Sequence, residues 1–369
     1  MRPLEKGKIS GTQLMFAISC FIQGSTLLTA FVMGITQQDT WIVVILGFLA
    51  SLLLLTMYMA LLKRYPGKNL MEINEEVFGP ILGRVFSLFY IFFFLSLASL
   101  NTRDVGNFAT GFMLPETPII FILIIFIIVC AYAVRSGVEI LVRYGFVFTL
   151  MTAAVMIFNA LFLLGNMNFN NFLPMLTLPV GKYIQGTHII AIIPYGEILI
   201  FLMLASSVRE EVKLGRFFFG GLSIGALSML LIVLRDIATL GGAAPYLALP
   251  SFEAIRLINI ANFMTRMEIF YAIALLVLQF FKITILYYVS VLGLCHVFRL
   301  RAYAPFVITL GFLILNYSLI VFDSSMENAA WGASTASFFS SFFELVLPGI
   351  TLLVSLFRKG SVKKEALSS

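Results

Sequence analysis

Two short segments interrupt long apolar runs of this sequence with residues that destabilise an α-helix. Residues 20–26 read CFIQGST, and residues 192–197 read IIPYGE. Glycine weakens a helix, while proline removes a backbone hydrogen bond and clashes with the preceding turn. Backbone groups released within an apolar layer need another partner, such as a ligand. The two segments are therefore predicted to form a binding site; the alternative is a pair of packing glycines and an ordinary proline kink.

The chemistry of two broken helices suits a small amino acid. The N-terminal end of a half-helix presents N–H groups and a positive dipole to a carboxylate, and the other end presents carbonyls to an amine. We expect Gly24, Ser25 and Thr26 to hold a carboxylate. The carbonyls around Pro194 and Tyr195 would hold an amine, and the Tyr195 ring would shape the side-chain pocket. The candidate binding residues are Gln23, Gly24, Ser25, Thr26, Pro194, Tyr195, Gly196 and Glu197.

Two charged residues, Glu197 and Lys282, fall near the middle of apolar runs, and Glu197 is interpreted as the only acid at that depth. An ionised lysine there costs about 2.5–3.5 kcal/mol or more, so it needs a partner. Lys282 is interpreted as a proton-linked switch or a fixed cation that replaces a transported sodium ion; the alternative is a structural lysine that bridges helices. Glu197 has four open roles: pairing with Lys282, binding a substrate amine, carrying a proton, or capping a half-helix.

Other polar residues lie toward the ends of apolar runs. Asn101, Arg103 and Asp104 are candidates for the rim of an outer vestibule, with snorkelling and pairing between helices as the alternative. Adjacent residues do not share a helix face, so Arg103 and Asp104 need not pair. Arg235 and Asp236 are expected to form a snorkelled pair at the membrane interface.

The elements that must position these residues are membrane helices. Hydrophobic residues make up 60% of the 369-residue chain and charged residues only 11%, too few to cover a soluble protein. A membrane-spanning helix needs about 20 apolar residues. Ten such runs, here called spans 1–10, cover residues 14–36, 41–62, 81–112, 119–134, 140–164, 185–207, 214–236, 266–297, 304–322 and 333–357.

The basic residues predict how these helices are oriented. With the N-terminus inside, 18 of the 24 Lys and Arg residues fall on the cytoplasmic side, as the positive-inside rule requires. An even number of spans then places both termini in the cytoplasm. The net charge of +6 is thus a signal of topology, and no nucleic-acid partner is expected.

The ten spans divide into two sets of five with matching spacing. Repeat one covers residues 14–164 and repeat two residues 185–357. Because five is odd, the second set must lie inverted in the membrane, as in inverted-repeat transporters. We therefore predict one all-α transmembrane domain over residues 1–369, with spans 1 and 6 broken at mid-membrane.

Sequence motifs for catalysis are not found. The chain has no phosphate-binding loop and no HExxH motif, and its three cysteines and two histidines lack the spacing of a metal or redox site. No catalytic residue, metal or cofactor is predicted, and we do not expect an enzyme.

Several short motifs occur in a recognisable order. They are KISGTQL at 8–14, YPGKNL at 65–70, FGPILG at 78–83, FNNFLP at 169–174, and RME at 266–268 ahead of Lys282. With ten spans, this set resembles the B-type subunits of bacterial spore germinant receptors, the endospore germination permease family. That family belongs to the amino acid–polyamine–organocation superfamily, whose fold is the five-plus-five inverted repeat of the leucine-transporter type.

The resemblance implies a nutrient sensor that binds a germinant, often an amino acid. It implies a larger A-type membrane subunit and a C-type lipoprotein as partners in the spore inner membrane. The superfamily site corresponds to residues 23–26 and 194–197, and transporters of this fold often hold a sodium ion or a lysine amine between spans 1 and 8, where Lys282 lies. A proton-coupled amino-acid symporter and a channel-like or scaffold subunit are the alternatives, because fold and site chemistry are shared among these functions.

Overall fold

The apolar spans fold into helices, because a backbone within an apolar layer can bond only to itself. The computed structural model describes residues 7–209, 213–258 and 267–357, and within these ranges the only β-type contact is an isolated bridge between Ile9 and Val208. The α-helices are α1 (Gly11–Gln23), α2 (Leu28–Thr36), α3 (Thr40–Arg64), α4 (Leu70–Phe78), α5 (Leu82–Phe108), α6 (Ile119–Arg135), α7 (Val138–Leu163), α8 (Val180–Ile192), α9 (Leu214–Leu240), α10 (Pro250–Arg256), α11 (Glu268–Val297), α12 (Ala304–Ile320), α13 (Ser325–Ser334), α14 (Ala336–Ser341) and α15 (Leu347–Phe357). A 3₁₀ helix at Gly196–Met203 and a π-helix at Phe342–Val346 complete spans 6 and 10.

Seven helical stretches of the described part are long and apolar enough to cross a membrane, and α12 with α13 makes an eighth if the pair, bent by 96°, is one span. The apolar helices α1 and α6 are shorter, at 13 and 17 residues. One predicted boundary is wrong, because span 6 begins at Val180 rather than at residue 185. The residues before span 10 form α13, whose first turn is capped by Ser324. The short helix α10 follows span 7, and residues 259–266, including Arg266, lie outside the described ranges.

The break in span 1 (residues 24–27, the first break) is a tightened turn. The amides of Gly24, Ser25 and Thr26 donate to carbonyls three or four residues earlier, at 3.0, 2.9 and 3.2 Å. The expectation that these amides are free for a carboxylate is therefore wrong for this structure. The physical reason is that i→i+3 bonds satisfy the backbone within the chain at little cost over a single turn.

The break in span 6 (residues 193–195, the second break) opens the helix further. Ile193 takes an extended conformation, with φ −108° and ψ 109°, as steric contact with the following proline favours. Pro194 has no N–H to continue the ladder, and the chain resumes as a 3₁₀ helix at Gly196. Both broken spans thus form as the sequence predicts.

Small residues allow α1 to pack closely against α9 and α7. A Cβ atom on Gly221 of α9 would lie 2.5 Å from the Met15 carbonyl oxygen and 2.7 Å from Ile18 Cβ. On α7, a Cβ atom on Gly145 would lie 2.9 Å from Ala17 Cα. The half-helix that carries the first break is therefore fixed by direct backbone approach on two sides.

We expect Gly221→Ala to lower the free energy of unfolding by about 1–3 kcal/mol, because the methyl group overpacks the contact between α1 and α9. The measurement is the thermal unfolding midpoint of the purified chain in detergent. The control is Gly181→Ala at the start of α8, where a Cβ atom meets nothing within 4 Å. Equal midpoints for the two variants would contradict the close approach.

Candidate functional site

Lys282 and Glu197 form a buried ion pair between the two breaks. Lys282 Nζ lies 2.7 Å from Glu197 Oε2 and donates to Ser25 Oγ at 2.6 Å. The two charged side chains are 2% and 1% exposed, and Nζ lies 5.1 Å from the centroid of the Phe21 ring. A buried charge requires a close partner of opposite charge. One lysine on α11 therefore connects Ser25 in the first break with Glu197, two residues beyond the second break.

Gly24 and Gln279 explain how α11 reaches the first break. A Cβ atom on Gly24 would lie 3.1 Å from both the Leu278 carbonyl oxygen and Lys282 Cβ. Gln279 Nε2 donates to the Gly24 carbonyl at 3.0 Å. Residues 279 and 282 are three apart and share a helix face, so the amide and the ammonium contact the same turn of span 1.

Gln23 points away from this ion pair. Its Nε2 donates to Ser228 Oγ on α9, and its Oε1 accepts from Thr152 Oγ1 on α7, both at 2.8 Å. A cavity of about 40 Å³ on this side is lined by Gln23, Thr26, Thr152, Asn159, Ser228 and Tyr271, together with apolar residues and Arg235. This volume is enough for one or a few water molecules. Consecutive residues of a helical turn face different directions, so the predicted binding residues 23–26 divide between two environments.

Tyr195 packs away from the ion pair as well. Its hydroxyl lies 3.8 Å from Met229 Sδ on α9, and its ring meets the edge of Phe48 at a centroid distance of 6.4 Å. Pro194 and Tyr195 are buried in the core at the second break. The structure therefore brings together Gly24, Ser25, Glu197 and Lys282 around the charges and leaves the aromatic ring of Tyr195 in a packing role.

A second buried acid, Glu344, was missed from the sequence, so the interpretation of Glu197 as the only acid at mid-depth is wrong. Glu344 is 0% exposed and lies in the π-helix of span 10, against Gly196, where a Cβ atom would collide with its Oε2. The Tyr58 hydroxyl lies 2.7 Å from the Glu344 carbonyl oxygen and 3.1 Å from that of Gly196. The signal that could have found Glu344 is an acid inside the apolar run 342–357.

The three vestibule candidates take different positions. Arg103 Nη1 lies 3.3 and 3.2 Å from the carbonyl oxygens of Ser318 and Leu319 at the end of α12, and its Nε donates to Asn107. Asn101 donates to the carbonyl four residues earlier in its own helix. Arg103 thus follows the alternative of pairing between helices, and Asn101 bonds within its own helix, so neither of these two candidates lies at a vestibule rim in this structure.

Asp104 lies at a larger cavity near the end of α5. Its Oδ1 accepts from Asn328 Nδ2 of α13 at 2.6 Å. The cavity measures about 410 Å³ and is lined by Leu27, Ala30, Phe31, Asp104, Asn107, Phe108, Gly111, Phe112, residues 245–249, Ser325, Met326, Asn328 and Ala329. The structure thus places one of the three candidates at a vestibule-like opening between α2, α5 and α13.

Arg235 and Asp236 pair as expected, but they are buried rather than snorkelled. Arg235 Nη2 lies 2.5 Å from Asp236 Oδ1, with side-chain exposures of 4% and 0%. Ser251 of α10 donates to the same carboxylate. The short helix α10 covers the end of α9 and removes the pair from the surface.

Comparisons of the whole sequence identify relatives. A family model described as “Spore germination protein” matches residues 8–326. Spore germination protein KB of Bacillus subtilis (strain 168) is 26% identical over 376 residues, which is 98% of this chain and 98% of the relative. Spore germination protein A2 of the same organism is 26% identical over 327 residues, or 85% of this chain and 86% of the relative.

Two solved transporter structures share the fold. Mhp1, a nucleobase-cation-symport-1 family transporter in a closed conformation with bromovinylhydantoin bound, has a TM-score of 0.66 at 15% identity, with 94% of this chain and 78% of that chain covered. MhsT in complex with L-phenylalanine has a TM-score of 0.64 at 14% identity, with 95% and 99% covered. At these identities the likeness shows the fold alone, and it confirms the predicted leucine-transporter type of fold.

The apolar helices make the chain an integral membrane protein. The matched region also contains all of the short motifs from which the family was inferred, beginning with residues 8–14. The chain therefore belongs to the spore permease family of spore germination proteins, the B-type germinant receptor family that its motifs resemble.

Proposed function

We propose that this chain binds a nutrient germinant, an amino acid, between its two broken spans as the sensing subunit of a germinant receptor. The observation that carries the proposal is the buried pair of Lys282 and Glu197, which presents one positive and one negative group at the two breaks. A zwitterion is the ligand class that offers a partner to each. MhsT, which shares the fold, was solved with L-phenylalanine, and this supports an amino acid as the ligand class.

The ion pair also supplies a mechanism. The ligand carboxylate would accept from Lys282 Nζ and from the Ser25 hydroxyl, and the ligand amine would donate to Glu197 and to a carbonyl of the second break. Neither buried charge is left alone at any stage, which keeps the cost of separating the pair low. Lys282 then releases Glu197, so the contact of α11 with span 6 differs between the free and bound states. Such a differential contact lets a ligand shift the bundle from outward-open to occluded.

The receptor would lie in the spore inner membrane with both termini of this chain in the cytoplasm. The distribution of Lys and Arg supports cytoplasmic termini, and the family supports a location in the spore inner membrane. Large apolar side chains such as Leu53, Phe121 and Tyr132 are 74%, 59% and 77% exposed, as lipid contact requires. An A-type membrane subunit and a C-type lipoprotein would receive the shift of the bundle.

A proton-coupled amino-acid symporter is the second candidate, and the unpaired acid Glu344 together with the fold of two transporters favours it. The same motions would then carry the substrate across the membrane. Uptake by the chain alone separates the two functions, because a sensor binds without accumulating its ligand.

We expect the chain, reconstituted in liposomes, to bind an amino acid without concentrating it under a proton gradient. In a panel of amino acids, the matching ligand should stabilise the fold by about 2.7 kcal/mol at a hundredfold excess over its Kd. Gly24→Trp should abolish this shift, because the indole enters the space of Leu278 and Lys282, and Gly165→Trp, at an open position, should keep it. Concentrative uptake would establish the symporter instead, and a lack of both binding and uptake would favour a scaffold subunit.

We expect Lys282→Met to insert in the membrane yet lose the ligand-dependent shift. The variant should also lose about 3–5 kcal/mol of stability, because it leaves Glu197 buried without its partner. Adding Glu197→Gln should restore much of the stability but not the ligand response, while the exposed control Lys213→Met should resemble the unmodified chain. The readout is the unfolding midpoint with and without ligand. A normal ligand response from Lys282→Met would show that the lysine is structural only.

A further inference from the structure

The carboxylate of Glu344 has no hydrogen-bond partner within the described part of the chain, at either oxygen. The residue is 0% exposed and lies in a π-helix, where the chain departs from regular α-geometry. Its Oε2 points at the backbone of Gly196, where the missing side chain makes room for it. A buried acid without donors is costly if it is ionised, so this side chain requires a positive ligand.

The charges that face Glu344 do not supply this ligand. Lys282 is already bound to Glu197 and to Ser25, so the cluster holds two acids and one base. Among the described residues, the neighbours from α3 and α5 are Tyr58 and Tyr90, and a phenol group is uncharged near neutral pH. The cluster therefore lacks one positive charge.

We propose that Glu344 is a proton-binding site that completes the charge balance between span 6 and span 10. The proton comes from water and binds one carboxylate oxygen, which gives a neutral acid beside Gly196. An alkali cation is the other positive ligand that this carboxylate could take, because the carbonyl oxygens of Gly196 and Glu344 lie nearby, 3.1 and 2.7 Å from the Tyr58 hydroxyl.

The consequence is a fold whose second break is stable only while this proton is bound. Ionisation at high pH would leave two carboxylates for one ammonium in the same apolar space. Repulsion between Glu344 and Glu197 would then separate span 10 from span 6. Proton occupancy would in this way set how firmly the two elements are held together.

The test is infrared difference spectroscopy of the full chain in lipid nanodiscs, without germinant, between about pH 5 and about pH 9. We expect the unmodified chain to show, relative to Glu344→Gln, one additional carbonyl band of a protonated carboxylic acid, which disappears at high pH. Glu139→Gln is the matched control, because this acid pairs with Arg143 at the exposed start of α7. A carbonyl band of the same size in Glu344→Gln as in the unmodified chain would overturn the proposal.

Thermal unfolding gives a second, independent readout. The midpoint of the unmodified chain should fall as pH rises, and Glu344→Gln should remove most of that fall, because an amide needs no proton. His188 hydrogen-bonds Ser341 near the same segment at 2.9 Å and also titrates, so His188→Gln is the control that should keep the fall. The alternative outcome is that sodium or potassium, at constant ionic strength, raises the midpoint of the unmodified chain but not of Glu344→Gln, while pH has no effect. The site would then bind an alkali cation, and the proton assignment would be wrong.

Discussion

The ion pair between Lys282 and Glu197 is the constraint on which the centre of this molecule depends. Each charge would be costly alone at this depth, and each is stabilised by the other at 2.7 Å. The pair forms only if α11 lies against the first break and the second break lies on the opposite side of the ammonium. The positions of three elements are therefore coupled to one electrostatic requirement.

The surrounding packing is arranged so that this requirement can be met. Gly24 and Gly196 bring backbone against Lys282 and Glu344, which a larger residue at either position would prevent. Gln279 and Tyr58 then bond to carbonyls at the two breaks, at 3.0 and 3.1 Å. Backbone that the breaks remove from the helical ladder thus obtains partners from other helices, as an apolar surrounding demands.

This arrangement links structure to sensing. A helix bundle with a regular core changes shape only at the expense of packing, whereas a bundle joined by an ion pair has a contact that a charged ligand can replace. This member of the spore permease family combines the ion pair with a fold shared by two solved transporters, so the proposed binding and movement would use the same elements.

Much of the fold and of the candidate site could be predicted from the sequence, because charged and helix-breaking residues in an apolar run are costly wherever they occur. Gly24, Pro194, Glu197 and Lys282 could be predicted for this reason, and so could the spans and the family. The sequence could not show that Gln23 faces α7 and α9, that α10 buries Arg235, or that Glu344 meets Gly196. Those facts depend on the rotation of each helix and on contacts between residues far apart in the chain, such as 58 with 344. The sequence determined which residues need partners, and only the tertiary structure decided which partners they have.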